Sequence, residues 1–309
     1  MKKLFIIFVL CFFGTAYPQE NFTSEALKIT PLVEGTLLLP ETSAKPPLAI
    51  LIAGSGPTDR NGNQSMLKNN SLKYLAEALT NNGIATFRYD KRIVKLIKMN
   101  KVDEESVTFD DFITDAVAGI EYFKNNARFG KIYVIGHSQG SLVGMIAAQN
   151  RADGFISIAG AGQEIDDVIV DQLAKQAPKL VDNARKSFDD LRVNGVAQNY
   201  SPGLASILRP AIQPFLYNWM QYNPQEELAK LNVPVLIVNG DKDLQVQISE
   251  AEALQKAKPN ATYKVIPKMN HVLKEIDGGY VENSQSYSQA ELPVSEELIA
   301  VITKFIEAN

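Results

Sequence analysis

The pentapeptide Gly136-His137-Ser138-Gln139-Gly140 constrains this chain more than any other stretch. It stands between a short apolar run, residues 132–135 (Ile-Tyr-Val-Ile), and a helix-like run, residues 142–148 (Leu-Val-Gly-Met-Ile-Ala-Ala). A G-x-S-x-G set between strand and helix forces a sharp turn that lifts the serine hydroxyl clear of a sheet edge. Glycines two before and two after the serine leave room for that turn, because a Cβ at either place collides with the neighbouring strand or helix. Ser138 is therefore the candidate nucleophile.

A serine hydroxyl is a weak nucleophile near neutral pH, so a base must take its proton and a third group must orient the base. The chain has two histidines. His137 lies inside the turn and points elsewhere by turn geometry, which leaves His271, on the loop after the apolar run 263–266. Taken alone, His271 reads as a surface histidine bonded to a neighbour. The order serine, acid, histidine changes that reading. Between the two lies a buried-strand pattern, residues 233–238, that exits through Asn239-Gly240-Asp241-Lys242-Asp243-Leu244. Asp243, three residues past the glycine, is the preferred acid, and Asp241 competes with it.

An attacked carbonyl develops an oxyanion that needs donors. The N–H of Gln139, at the positive end of the following helix, is one candidate. The second is the N–H of Ser55, with Gly56 as the alternative, in the loop Ala53-Gly54-Ser55-Gly56-Pro57 after the apolar run 48–52.

Short runs that are apolar throughout recur at 48–52, 84–89, 131–135, 155–158, 233–238 and 263–266, as buried parallel strands do. Segments 25–29 and 33–39 read as an antiparallel pair at one edge. Amphipathic segments intervene at 71–81 and at 109–126, with Phe112, Ile113, Ala116, Val117, Ile120 and Phe123 on one face, and a last one spans 295–308. An α/β fold follows: a mostly parallel sheet flanked by helices, built from residues 17–161 and 232–309. Residues 162–231 break the rhythm and read as an inserted helical cap, opening with one long charged helical pattern over 164–192. Phe215, Trp219 and Met220 in that cap either line a substrate pocket or fix the cap to the core.

With the three residues in this order, and with the loop Gly54-Ser55-Gly56-Pro57-Thr58-Asp59-Arg60, the chain resembles the α/β-hydrolase superfamily, more narrowly bacterial serine esterases whose oxyanion loop reads G-S-G-P-x-D-R. The resemblance covers most of the mature chain. Such proteins tend to carry D-K-R-G after the next strand; here Asp90-Lys91-Arg92 is followed by Ile93. The resemblance implies hydrolysis of a small-molecule carboxylic ester or short acyl substrate through an acyl-enzyme, without cofactor or metal. Some relatives are peptidases or thioesterases. A peptidase would need an acidic pair for a free amine, for which Glu164, Asp166 and Asp167 are candidates; lactone hydrolysis and non-catalytic binding are further alternatives. Asp59, Arg60, Asp90 and Arg92 read as an ion-pair scaffold around the oxyanion loop.

Met1-Lys2-Lys3, the apolar stretch 4–13 and the small residues Gly14-Thr15-Ala16 read as a secretory signal peptide, residues 1–16. Its apolar core is too short for a lasting membrane anchor. A periplasmic or extracellular protein is expected. The only cysteine, Cys11, falls within the leader, so a mature chain would have no disulfide and no thiolate metal site. With Lys2 and Lys3 gone, the 31 basic residues fall to 29 against 35 acidic, a formal charge of −6, and no basic patch points to nucleic acid.

Overall fold

The structure, a computed structural model, describes residues 21–41 and 44–309. The expected leader and Cys11 lie outside them. In chain order the strands are β1 (Phe22–Lys28), β2 (Glu34–Pro40), β3 (Leu48–Ile52), β4 (Ala85–Tyr89), β5 (Ile132–His137), β6 (Gly154–Ile158), β7 (Val235–Gly240) and β8 (Thr262–Ile266). They form one sheet in the order β1-β2-β4-β3-β5-β6-β7-β8. β2 pairs antiparallel with both β1 and β4, and every pairing from β4 to β8 is parallel.

Strands β3 to β7 are buried along their whole length, because helices cover both faces. On one face α1 (Ser71–Asn81) and the C-terminal α12 (Glu296–Ala308) pack Leu75, Leu79, Leu298 and Ile302 against Leu51, Ile135 and Leu236. On the other, α3 (Phe109–Lys124), α4 (Gln139–Ala148) and α10 (Ile248–Ala257) pack Phe109, Ile120, Met145 and Leu254 against Ile50, Phe87 and Phe155. α3 starts where Thr108 and Asp111 form a reciprocal capping box, which satisfies two amides left open by the first turn. A short α2 (Arg92–Lys98) follows β4 and buries none of its residues.

The β6–β7 connection holds α5 (Ile165–Gln176), α6 (Val181–Asn194), α7 (Ala205–Leu208), α8 (Gln213–Trp219) and α9 (Pro224–Ala229). The single helix expected over 164–192 is two. Pro178 cannot follow a helical residue without clashing, so α5 stops and a 3₁₀ turn at Pro178–Leu180 redirects the chain into α6. These helices have an apolar cluster of their own, built on Ala184, Phe188, Leu191, Leu208, Leu216 and Met220.

Because β3 and β5 to β8 run parallel, the loops leaving their carboxyl ends share one rim, where α/β sheets place their ligands. Those loops carry Ser55, Ser138, Asp243 and His271. Another short helix, α11 (Tyr280–Ser286), borders the same rim, where its Asn283 and Ser286 accept from Asn270.

Candidate active site

Ser138 is held at φ 55° and ψ −123° between the end of β5 and the start of α4. A left-handed φ strains a residue with a side chain, typically by about 1–3 kcal/mol, and persists only where the surroundings enforce it. Here the enforcement is backbone against backbone. A Cβ on Gly136 would lie 2.3 Å from the Gly140 carbonyl oxygen, and one on Gly140 would lie 2.3 Å from that of Ile52. Hydrogen bonds from Ser138 N to Ile158 O (2.9 Å) and from Ser141 N to Ser138 O (2.8 Å) hold the turn.

His271 is buried, and its Nδ1 lies 2.8 Å from Asp243 Oδ2. A carboxylate oxygen only accepts, so Nδ1 carries a proton, and the neutral ring in this tautomer has its lone pair on Nε2. The other carboxylate oxygen of Asp243 accepts from the N–H groups of Gln245 (2.7 Å) and Val246 (2.8 Å), which fixes the carboxylate's orientation. Asp241 is engaged elsewhere: it accepts from Lys268 N (2.6 Å) on the surface.

Two supporting residues were not legible as such in the sequence. Asn270, 1 % exposed, accepts from the N–H groups of Val272 and Lys274 and donates to Asn283 and Ser286, which locks the turn bearing His271. His137, beside Ser138, donates from Nε2 to the His271 carbonyl oxygen (2.8 Å), with the two rings 4.9 Å apart. Burial, reinforced by the neighbouring His271, pushes the His137 imidazole down to about 4, so it stays neutral.

The loop after β3 approaches Ser138 closely enough that a Cβ on Gly54 would lie 3.1 Å from the serine Cβ. Among the described residues Ser55 N–H makes no backbone hydrogen bond. Gln139 N–H, first in its helix, is one of the amides for which an α-helix offers no acceptor. Gly56, at φ 77°, turns the loop outward and lines a cavity wall. Asp59 accepts from Asn61 N and Asn63 N, and Arg60 grips Asp90 in a two-pronged pair with oxygens at 3.0 and 2.8 Å. Arg92 makes the same fork with Asp115, at 2.8 Å for each contact. Between these pairs sits Lys91, 6 % exposed, with Nζ donating to Gly54 O (2.9 Å) and Gln139 Oε1 (2.6 Å) above the Phe112 ring. Burial alone pulls its amine down to about 7.

Three cavities meet at Ser55. One, about 110 Å³, is lined by Ser138, His271, Gln64, Asn69, Gln245 and Tyr287. A second, about 290 Å³, runs from Ser138 and Gln139 to Leu142, Ile165, Val168 and Trp219. A third, about 250 Å³, lies beyond Trp219 among Ile93, Val107, Phe112, Ile212 and Phe215. Trp219 and Phe215 thus border cavities while also packing on Phe109, at ring distances of 5.3 and 6.3 Å. Met220 does not line any of these cavities. At 1 % exposed it turns into the cluster of the inserted helices, because it falls on the face of α8 shared with Leu216. Glu164, Asp166 and Asp167 are likewise no open acidic pair: each is bonded to Arg185 or Arg192, and none borders these three cavities. Among the described residues no group of three or more His, Cys, Asp or Glu is placed to hold a metal ion.

Residues 85–273, more than half of the chain, match the alpha/beta hydrolase family. The chain belongs to that family. It is 27% identical over 265 residues to Esterase EstD of Thermotoga maritima, an alignment that takes in 84% of this chain. The chain spans 62% of that relative's length. Among solved structures, Est1E from Butyrivibrio proteoclasticus superposes with a TM-score of 0.57 at 18% identity, covering 92% of this chain and 98% of the other. Dienelactone hydrolase from Anabaena variabilis gives 0.53 at 13%, with 93% and 97% covered. Both have the fold found here.

Proposed function

We propose that this family member is a secreted bacterial serine esterase, and that Ser138, His271 and Asp243 are its catalytic triad. The observation that carries the reading is the buried Nδ1 to Oδ2 bond between His271 and Asp243, in a cavity that a strained Ser138 also lines. His271 Nε2 takes the proton from Ser138 as Oγ attacks the ester carbonyl, and Asp243 stabilises the imidazolium. The N–H groups of Ser55 and Gln139 receive the oxyanion. His271 then passes its proton to the leaving alkoxide, an acyl-enzyme remains, and water repeats the sequence to release the acid. No cofactor or metal is required by this chemistry. The relationship to EstD and the loop Gly54-Ser55-Gly56-Pro57-Thr58-Asp59-Arg60 support ester hydrolysis, and the leader-like residues 1–16 support export to the periplasm or beyond.

The position of the proton donor supports one assignment of the two halves of the substrate to the cavities. His271 borders only the small cavity, so the alcohol leaves there, among the uncharged polar groups of Gln64, Asn69, Gln245 and Tyr287. The acyl group takes the apolar cavity under Trp219, for which residues 162–231 form the cap. An aminopeptidase is disfavoured because the acids it would use are already paired with arginines.

The test is a panel of p-nitrophenyl esters of graded acyl length beside aminoacyl anilides, run on wild type and Ser138→Ala. Turnover of short apolar esters, a loss of about 10⁴–10⁶-fold in the variant and no anilide cleavage are expected. Ester turnover that persists in Ser138→Ala refutes the triad.

A further inference from the structure

A lysine with no carboxylate partner is expensive to bury. Among the described residues no acid pairs with Lys91, and it is not at the surface. Its side chain ends against an apolar cavity bounded by Ile93, Val107, Phe112, Phe215 and Trp219, where a methionine or leucine would pack without desolvating a charge. What the amine gains is two acceptors. One is the carbonyl of Gly54, the other the side-chain oxygen of Gln139. Both belong to the two segments proposed above to supply the oxyanion donors.

The Gly54 contact bears on geometry directly. The Gly54 carbonyl and the Ser55 N–H are two ends of one planar trans peptide, and in such a unit they point in opposite directions. Drawing the carbonyl toward Lys91 therefore turns the N–H away from Lys91, toward the far side of the loop. The next peptide is pinned as well: the Ser55 carbonyl accepts from Thr58 Oγ1 (2.7 Å) and Gln64 Nε2 (2.9 Å). With both flanking peptide planes fixed, the Ser55 N–H has one direction available. A hydrogen bond to the carbonyl also polarises the same amide and makes its N–H a better donor. The second arm, to Gln139 Oε1, ties the first residue of α4 to the same nitrogen, so one amine sets the spacing between the two segments.

We propose that Lys91 is the positioning residue of the oxyanion hole, holding the Ser55 and Gln139 amides in register through its hydrogen bonds to Gly54 O and Gln139 Oε1. It touches neither the ester nor the reacting atoms. The inference rests on the esterase reading and adds a residue to it.

A merely structural lysine would affect stability or substrate binding, whereas a positioning lysine affects the transition state. Lys91→Met should fold, as judged by thermal melting, bind substrate with an unchanged KM, and lose about 100-fold in kcat, the size of loss that a small misplacement of catalytic donors produces. Phenylboronic acid, whose tetrahedral serine adduct puts an oxygen in the hole, should bind more weakly to the variant by the same factor as kcat/KM falls. Lys91→Arg, which keeps donors for both acceptors, should recover part of the loss. Gln139→Leu, which cuts one arm, should lower kcat less, and adding it to Lys91→Met should cost nothing more, since both remove one linkage. Should Lys91→Met not fold, Gln139→Leu and Lys91→Arg still decide: a fall in kcat at constant KM in the former supports the role. A folded Lys91→Met with unchanged kcat, or a loss carried wholly by KM, overturns it. Wild-type turnover that Ser138→Ala abolishes, beside an unaffected Lys91→Met, sinks this inference and leaves the esterase reading standing. Turnover that survives Ser138→Ala sinks both.

Discussion

The carboxyl rim of the sheet and the helices inserted between β6 and β7 differ in how far they depend on buried polar groups. At the rim, polar side chains are buried and most are tied to backbone: Asp243 to two amides, Asn270 to two more, Lys91 and His137 to carbonyls. In the inserted segment the buried residues are apolar apart from Asp166, Ser187, Gln213 and Glu227, and most of its charges form exposed or half-exposed pairs such as Arg185 with Asp167 and Asp189. A buried donor or acceptor that loses its partner costs about 1–3 kcal/mol and a changed geometry, whereas an exposed ion pair contributes at most about 1 kcal/mol. Rim positions should therefore answer substitution with loss of chemistry, and inserted positions with changes in stability or in substrate choice.

The largest expected effect belongs to the rim. Asp243→Asn keeps the shape but can offer His271 an N–H where it needs an acceptor, which favours the wrong tautomer. Loss of about 10⁴-fold in kcat is expected, the scale seen when a triad acid is neutralised, with KM little changed. Single-turnover kinetics on a p-nitrophenyl ester measures it. A loss below about tenfold would mean that the rim tolerates change as the insert does, and the contrast would fail.

Next come two neighbours that split the insert. Met220→Ala empties a buried site and should lower stability by about 2–5 kcal/mol, read by urea unfolding, without altering the preferred acyl length. Trp219→Ala removes the wall shared by the cavities of about 290 and 250 Å³ and should extend the preference to longer acyl groups. Reversal of the two phenotypes would show that Met220, and not Trp219, faces the substrate.

Sequence patterns foretold the sheet because strands buried on both faces must be apolar throughout, and β3 to β7 fall on such runs. They are less informative where a residue's setting depends on distant segments. Lys91 stands in the sequence only as the middle of Asp90-Lys91-Arg92, with no role assigned to it; the approach of the Gly54 loop and α4 to the end of β4 buries it. The pentapeptide, by contrast, carries its own local constraint, since Gly136 and Gly140 are required by backbones adjacent in sequence or paired in register. Position also distinguished Asp243 from Asp241, because the third residue past Gly240 reaches inward while the first meets Lys268 N at the surface. The insert was the hardest part. Its charged pattern continues across Pro178 and hides a break that the proline itself dictates, and whether Met220 or Trp219 turns outward depends on how α8 packs against Phe109 and α6.

The smallest predicted effect separates the regions by pH. His137 is buried and neutral, with its imidazole pushed down to about 4 from an ordinary 6.5, so between those values the unfolded chain binds a proton that the folded chain refuses. Stability from this group is complete above pH 6.5 and is lost as pH falls toward 4, by about 3 kcal/mol in all. The insert has no counterpart in that window. Burial raises the Asp166 carboxyl, but hydrogen bonds from Arg185 and Arg192 outweigh it and hold the group below the usual carboxylate range. Urea unfolding of wild type and His137→Gln at pH 7, 5.5 and 4 isolates the term, because carboxylates common to both proteins cancel in the difference. Wild type should lose the extra stability on acidification and the variant should not. Parallel slopes for wild type and His137→Gln would mean that the rim admits a proton, and with it water, more freely than its buried hydrogen bonds imply.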